Sequence, residues 1–347
     1  MATTTRPSNK PAIDAYPESQ ITERAGKERY GAGDTFLVQD VLPPDVLEGS
    51  FERLCNEVKW NTMSHRGGEV PRLVAVEGTV DEDGTVPIYR HPADESPPLH
   101  PFSPTVDFIR EHVSRLLPST HAPLNHVLIQ RYRTGEDYIS EHADKTIDVI
   151  HGTYIVNVSL GAQRRMTLRT KKPHKYNNKH ADEDASATTD RTVQRIPLPH
   201  NSAFFLGLTT NRLWLHSIRQ DRRAPFLLTP PELAFGRERI SLTFRSIGTF
   251  LTPAPRPPPI QVQQNAKEQA EENENIEEHE EQKGNTENWL IWGQGATSKS
   301  RLTARSISSN GSERAALIRA FGVENHSPEF DWKRAYGRGF DVLHFTS

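Results

Sequence analysis

The chain has 347 residues, with 42 Lys and Arg against 45 Asp and Glu and a formal charge of -3, so it lacks the basic footprint of a typical nucleic-acid binder. Only 34% of its residues are hydrophobic and 26 are proline, which puts part of the chain outside any core but leaves enough for one sizeable core. No apolar run reaches a membrane span, the N-terminus shows no apolar signal segment, and Cys55 alone permits neither an intramolecular disulfide nor a cysteine zinc site; a reducing, cytoplasmic setting is expected.

Residues 1–34 are polar, without apolar periodicity, and read as a mobile arm. Next, Val46, Leu47, Phe51, Leu54, Cys55 and Val58 recur at three- and four-residue steps, which predicts one amphipathic helix. Ser103-Pro104 starts a second helix carrying Phe108, Ile109, Val113, Leu116 and Leu117. From 125 to 248 the texture is β: NHVLIQRY, TYIVNVSL, RMTLRT, TVQRIPL, SAFFLGL and RISLTFRSI alternate with turn-forming residues, the pattern of a sandwich or barrel. The polar insert at 171–190 reads as an exposed loop. A proline-rich and then acidic linker follows at 253–287, with nine glutamates from Glu268 to Glu287. Residues 288–347 turn apolar and aromatic again, and a segment of that size is expected to dock back onto the domain at 35–252.

The tripeptide His-Ala-Asp occurs twice, at His142 to Asp144 and His180 to Asp182. The second copy lies in the polar insert, where nothing would hold it rigid. Two-residue spacing in extended backbone puts His142 and Asp144 on one face, and non-haem Fe(II) oxygenases bind iron through two His and one carboxylate. His216 in NRLWLHSIRQ, near a strand end, is the candidate third ligand; a core histidine satisfied by a neighbour is the structural alternative. In RERISLTFR, Arg239, Ser241, Thr243 and Arg245 share one strand face. Two arginines on one side of an otherwise apolar strand are costly to bury without anions, and their forks match carboxylates bidentately; a surface strand with solvated arginines is the alternative. By the same alternation Gln130 and Tyr132 share a face and can add hydrogen bonds.

The ordered stretches VLIQRY-x-x-G-x-D, EHADK, VSLGA-x-R, LWLHS and RISLTFR, spanning roughly residues 40–250, resemble the AlkB-type Fe(II)/2-oxoglutarate dioxygenases. That resemblance implies a mainly β fold with flanking helices, a double-stranded β-helix (jelly roll). It implies Fe(II) on His142, Asp144 and His216, with molecular oxygen as co-substrate. It also implies 2-oxoglutarate held at its distal carboxylate by Tyr132 and Arg239, with Arg245 near its chelating end and Gln130, Ser241 and Thr243 beside it. Gln130 and Ser241 stand where the family usually has Asn, and both can still hydrogen-bond a carboxylate. The acidic residue by which repair enzymes read a cationic base is replaced by Lys145, unless Asp148 substitutes.

Residues 63–78 occupy the place of the nucleotide-recognition lid, and VPR with Arg72 resembles the repair enzymes. Met63 to Gly68 reads as an ordinary loop rather than a base-flipping wedge. The tail ENHSPEFDWKRAYGRGFDVLHF resembles fungal AlkB-like oxygenases of secondary metabolism, including one that forms an aziridine from valine in the tryptoquialanine pathway. It could fold over the pocket with Leu343 and Phe345 as apolar walls, or only cover hydrophobic surface. GQGATSKS resembles a phosphate loop, but Ser298 replaces the required glycine. The leading expectation is an oxygenase of an amino-acid-like small molecule such as L-valine, with Lys145 or Arg72 pairing the substrate carboxylate. The alternatives are oxidative demethylation of N-alkylated bases in DNA or RNA, with a nuclear location, and a catalytically silent β-barrel binding module.

Overall fold

Alternating apolar and polar residues make stable strands where each face finds a partner, and the central strands at 126–132, 154–161 and 239–245 find one on both sides. The computed structural model describes residues 28–65, 68–92, 96–172, 191–255 and 289–343, with the side chains of residues 64 and 65 left out. The first elements are β1 (Phe36–Gln39), α1 (Pro44–Leu47), α2 (Ser50–Glu57), β2 (Ser64–His65), β3 (Gly68–Glu69), β4 (Leu73–Gly78), β5 (Val86–Pro87), β6 (Leu99–Pro101) and α3 (Pro104–Ser114). There follow β7 (His126–Tyr132), β8 (Ile139–His142), β9 (Tyr154–Gly161), β10 (Arg164–Thr170), β11 (Val193–Leu198), β12 (Ser202–Gly207), α4 (Leu208–Leu213) and β13 (Trp214–Ile218). The last are α5 (Pro230–Leu233), β14 (Arg239–Arg245), β15 (Thr249–Pro253), β16 (Trp289–Gly293), β17 (Arg305–Ser306), α6 (Gly311–His326) and α7 (Trp332–Tyr336).

A seven-stranded sheet in the order β1-β12-β9-β14-β7-β4-β6 faces a four-stranded sheet in the order β11-β10-β13-β8, the jelly-roll arrangement expected from the sequence. Its outer face carries Val127, Ile129, Val156, Val158, Ile240, Leu242 and Phe244, which pack against Phe51 and Leu54 of α2 and Val106, Ile109 and Val113 of α3. Its inner face meets Met166, Leu168, Trp214 and Ile218 of the smaller sheet. Strand β14 is paired on both edges, with Arg239 opposite Tyr132 on β7 and opposite Gly161 on β9. Its polar residues therefore point into the space between the sheets.

Several expectations change. The first helix is two, α1 and α2, broken at Gly49, whose φ of 66° lies in the left-handed region that glycine enters without a Cβ clash. Phe108 is exposed, because only Thr105, Val106, Ile109 and Val113 of α3 face inward. Residues 28–34, assigned to the arm, are tied in: Tyr30 bridges Thr35, and the Asp34 carboxylate accepts from the amides of Thr209 and Thr210 at the start of α4. Ser64–His65 and Gly68–Glu69 pair as the antiparallel strands β2 and β3, and LVAVEG is strand β4 of the large sheet. GQGATSKS turns tightly after β16 and leads only into a single 3-10 turn at Arg301–Thr303, not the long helix a phosphate loop opens. The arm before residue 28, the His180-Asp182 pair, the acidic tract and Phe345 lie outside the described residues. No helix among the described residues is long and apolar enough to cross a membrane.

The C-terminal segment packs on this body. β16 pairs with β15, and Leu317, Phe321, Tyr336 and Val342 cluster with Ile147. Arg90 staples the two parts together. It pairs with Asp148 at 2.7 Å, both side chains fully buried, and donates to the carbonyls of Gly295, Phe340 and Val342. Replacing Arg90 with Leu would strand a buried carboxylate and is expected to cost about 3–5 kcal/mol, measured as a fall in urea-unfolding free energy; a loss below about 1 kcal/mol would contradict this role.

Candidate active site

Strand β8 ends at His142, and β13 runs antiparallel beside it with His216 directly opposite. The two imidazole centroids are 4.2 Å apart, and Asp144 Oδ1 lies 3.6 Å from each Nε2. One ligand atom from each of the three residues falls within 4.8 Å of the others. His142 Nδ1 sits 2.8 Å from the Ser140 carbonyl; donating there, it leaves Nε2 with a free lone pair, the tautomer a metal ligand needs. Asp144 does not share the strand with His142 as the spacing suggested. It sits in the following turn, where Asn211 accepts from its amide and donates to its carbonyl, both at 2.9 Å. The second Asp144 oxygen, Oδ2, accepts from Arg245 Nη2 at 2.7 Å and Nε at 3.1 Å. Burial would push this carboxyl up, but the Arg245 guanidinium and the two imidazoles hold it well below the usual carboxylate range. Burial, reinforced by His142, pushes His216 down to about 3, so its ring is neutral and able to ligate. Two nitrogens and one carboxylate oxygen converging in this way suit a non-haem ferrous ion.

Along β14 the inward side chains are Arg239, Ser241, Thr243 and Arg245, and Gln130 and Tyr132 join them from β7. Arg239 is fully buried and lies over the Tyr132 ring at 5.2 Å. Its Nη2 donates to Ser159 Oγ at 2.7 Å and Asn157 Oδ1 at 3.2 Å, while Nε and Nη1 have no hydrogen-bond partner. Burial lowers this guanidinium to about 10, still charged at neutral pH. A buried cation with two idle donors is costly unless an anion meets it, and the distal carboxylate of a keto-diacid fits that need. Asn157 Nδ2 donates in turn to the hydroxyls of Ser241 and Thr243. Asn157 and Ser159 escaped attention in the sequence, although the alternation Ile155-x-Asn157-x-Ser159 along TYIVNVSL carried the signal.

Ligand triad and arginine face border one cavity of about 560 Å³. Arg72 lines it, but Nη1 donates to the Tyr138 carbonyl at 2.8 Å, and the Gln130 amide oxygen accepts from Nε at 2.9 Å and Nη2 at 3.2 Å. Gln130 thus braces Arg72 and Tyr132. Lys145 also lines the cavity and is buried, with Nζ donating to the Ala143 carbonyl at 2.6 Å and Asn325 Oδ1 at 3.2 Å. Asp148 is held by Arg90 and is not among the lining residues, so it does not replace the acid missing after Asp144. Leu343 is buried but does not line the cavity. The wall contributed by the C-terminal segment is α6, through Ile318, Phe321, Gly322, Asn325 and His326.

Helix α6 also grips the turn that bears Asp144. Asn325 Oδ1 accepts from the Ala143 amide at 2.9 Å. Glu324 Oε1 accepts from the Thr146 amide at 3.0 Å and from its hydroxyl, and Oε2 accepts from Tyr336 Oη at 2.7 Å. Burial raises Glu324 and brings Lys171, whose Nζ donates to the Glu324 carbonyl, down to about 8.

Residues 34–245 match the 2OG-Fe(II) oxygenase superfamily. Human "DNA oxidative demethylase ALKBH2" is 34% identical over 148 residues, 42% of this chain and 48% of that protein. The bovine protein of the same name is 32% identical over 148 residues, 42% of this chain and 45% of its own length. The chain thus spans about half the length of the curated relatives it matches. Among solved structures, "The structure of OsALKBH1" aligns with 62% of this chain and 100% of that chain, at a TM-score of 0.37 and 18% identity.

Because Arg245 orients the carboxylate that would ligate a metal, Arg245→Met is expected to weaken Mn(II) binding by about 10- to 100-fold, read by equilibrium titration. Unaltered affinity would make the Arg245–Asp144 pair purely structural.

Proposed function

The chain belongs to the 2OG-Fe(II) oxygenase superfamily, with Fe(II) as its metal and 2-oxoglutarate as its co-substrate, and we propose that it oxidises a small, largely apolar, amino-acid-like molecule. In this reading His142, Asp144 and His216 hold the iron. Arg239 and Tyr132, with Ser241 and Thr243 beside them, hold the distal carboxylate of 2-oxoglutarate. Arg245 keeps Asp144 ionised and fixes which of its oxygens faces the two imidazoles.

When bound, iron and 2-oxoglutarate supply the reduction of molecular oxygen, with two electrons from decarboxylation to succinate and two from the substrate. The residues around them bind, orient and exclude water. The Ser140 carbonyl keeps the proton of His142 on Nδ1. The apolar lining, including Met63, Val70, Ile139 and Phe321, keeps bulk water from the reacting carbon. Asn211 and Asn325 fix the turn bearing Asp144 from two sides.

One observation carries the choice of substrate. Among the described residues lining the cavity the only carboxylate is Asp144, and Arg245 already pairs it. A cationic alkylated base would find no counter-charge there and would meet Lys145 instead. An amino-acid carboxylate suits that wall better: an ammonium has three donors, and two of those on Lys145 are assigned.

The second reading is oxidative demethylation of N-alkylated bases, with a nuclear location. It is favoured by the similarity to proteins named DNA oxidative demethylase. Incubation with iron, 2-oxoglutarate and either L-valine or a methylated oligonucleotide separates the two, with a mass change expected in the amino acid. Product from the oligonucleotide alone would transfer the proposal to the second reading.

Arg239→Ala should raise the 2-oxoglutarate concentration for half-maximal succinate release by about 10- to 100-fold, the worth of hydrogen bonds to a charged group. An unshifted dependence would place the co-substrate elsewhere. His142→Ala should abolish iron-dependent succinate release; a wild-type protein that releases none with any substrate would instead be a silent binding module.

A further inference from the structure

Helix α6 serves both the core and the cavity, with Phe321 shared between the two faces. Leu317, Phe321 and Glu324 are buried, and Leu317 and Phe321 pack with Ile147, Tyr336 and Val342. Ile318, Phe321, Gly322, Asn325 and His326, spaced i, i+3, i+4, i+7 and i+8, form the stripe that borders the cavity. At the centre of that stripe stands a glycine.

Glycine inside a helix is unfavourable relative to alanine, so its presence needs a reason. Backbone conformation is not one: Gly322 is absent from the residues with positive φ. Close packing is not one either, since a Cβ built at Gly322 would meet no atom within 4 Å. The same test at Gly295 finds atoms at 2.5 Å and at Gly339 at 2.0 Å; those glycines are enforced by neighbours. Gly322 is itself among the residues that line the cavity, so the open space at its missing Cβ adjoins that cavity. A cavity wall without a side chain lets a ligand lie against the helix backbone.

We propose that Gly322 is a specificity-determining position: it leaves out a side chain so that the apolar part of the substrate can rest against α6, and its replacement sets an upper limit on substrate size. This rests on the small-substrate reading above. The pocket side chains around it fit an apolar occupant, since Ile318 and Phe321 flank the glycine on the helix and Met63 and Val70 also line the cavity.

The test uses the full chain loaded with Mn(II) and N-oxalylglycine, an unreactive analogue of 2-oxoglutarate. L-Valine, L-leucine, L-phenylalanine and a 1-methyladenine oligonucleotide serve as probes, with binding read by thermal shift and titration calorimetry. Gly322→Ala should raise the melting temperature of the probe-free protein by about 2–4 °C and weaken the tightest-binding amino acid only modestly. Gly322→Leu should weaken that amino acid at least tenfold, most for the bulkiest probe, while N-oxalylglycine binds as in the wild type. Arg319→Leu, on the exposed side of the same helix, should leave every affinity unchanged. Wild-type binding of an amino acid that both Gly322→Leu and Gly322→Ala preserve would overturn the role of Gly322 alone. If the wild type binds none of the amino acids, the small-substrate reading fails and this inference fails with it.

Discussion

Two guanidiniums buried on one face of one central strand constrain the rest of the molecule. Arg239 and Arg245 sit six residues apart on β14, inside a strand paired on both edges. Removing such charges from water is affordable only if anions meet them with good geometry. Arg245 has its anion in Asp144. Arg239 has hydroxyl and amide partners for one nitrogen and none for the other two. That asymmetry tells the two arginines apart: one is paired within the candidate metal-ligand turn, and the other keeps two buried donors without a partner, as the proposed acid-binding role requires.

Much of this was legible in the sequence because strand alternation has a period of two and leaves little freedom. RISLTFR, NHVLIQRY and LWLHS each give the inward set by parity alone, and the register of β14 with β7 then places Arg239 beside Tyr132. The turn between His142 and Asp144 was not legible. Asn211, from a helix 67 residues further on, reshapes it with two hydrogen bonds, and long-range clasps leave no periodic trace. The break at Gly49 was also hidden, since the apolar residues around it keep helical spacing on both sides. Arg72 and Lys145 were read as free cations because sequence shows a charge but not its partners, here the Tyr138 carbonyl, Gln130, the Ala143 carbonyl and Asn325.

The C-terminal segment joins the core more closely than its place after an acidic tract suggested. The buried Arg90–Asp148 pair binds it to the body, and Glu324 and Asn325 of α6 hold the backbone on either side of Asp144. The helix that walls the cavity is therefore the helix that steadies the candidate metal ligands. Pocket shape and ligand geometry share one support, and a change in either is felt by the other. Leu343, one of the apolar walls the tail could have supplied, is buried away from the cavity, and α6 lines it instead.

The most direct test of the account is anaerobic titration of the protein with Fe(II) and 2-oxoglutarate, followed by visible absorption. The account predicts a charge-transfer band that needs both additions, saturates at one iron per chain and disappears in His216→Ala. A band that survives the loss of His216, or no band in the wild-type protein, would contradict the assignment of the two histidines and Asp144 as the iron site.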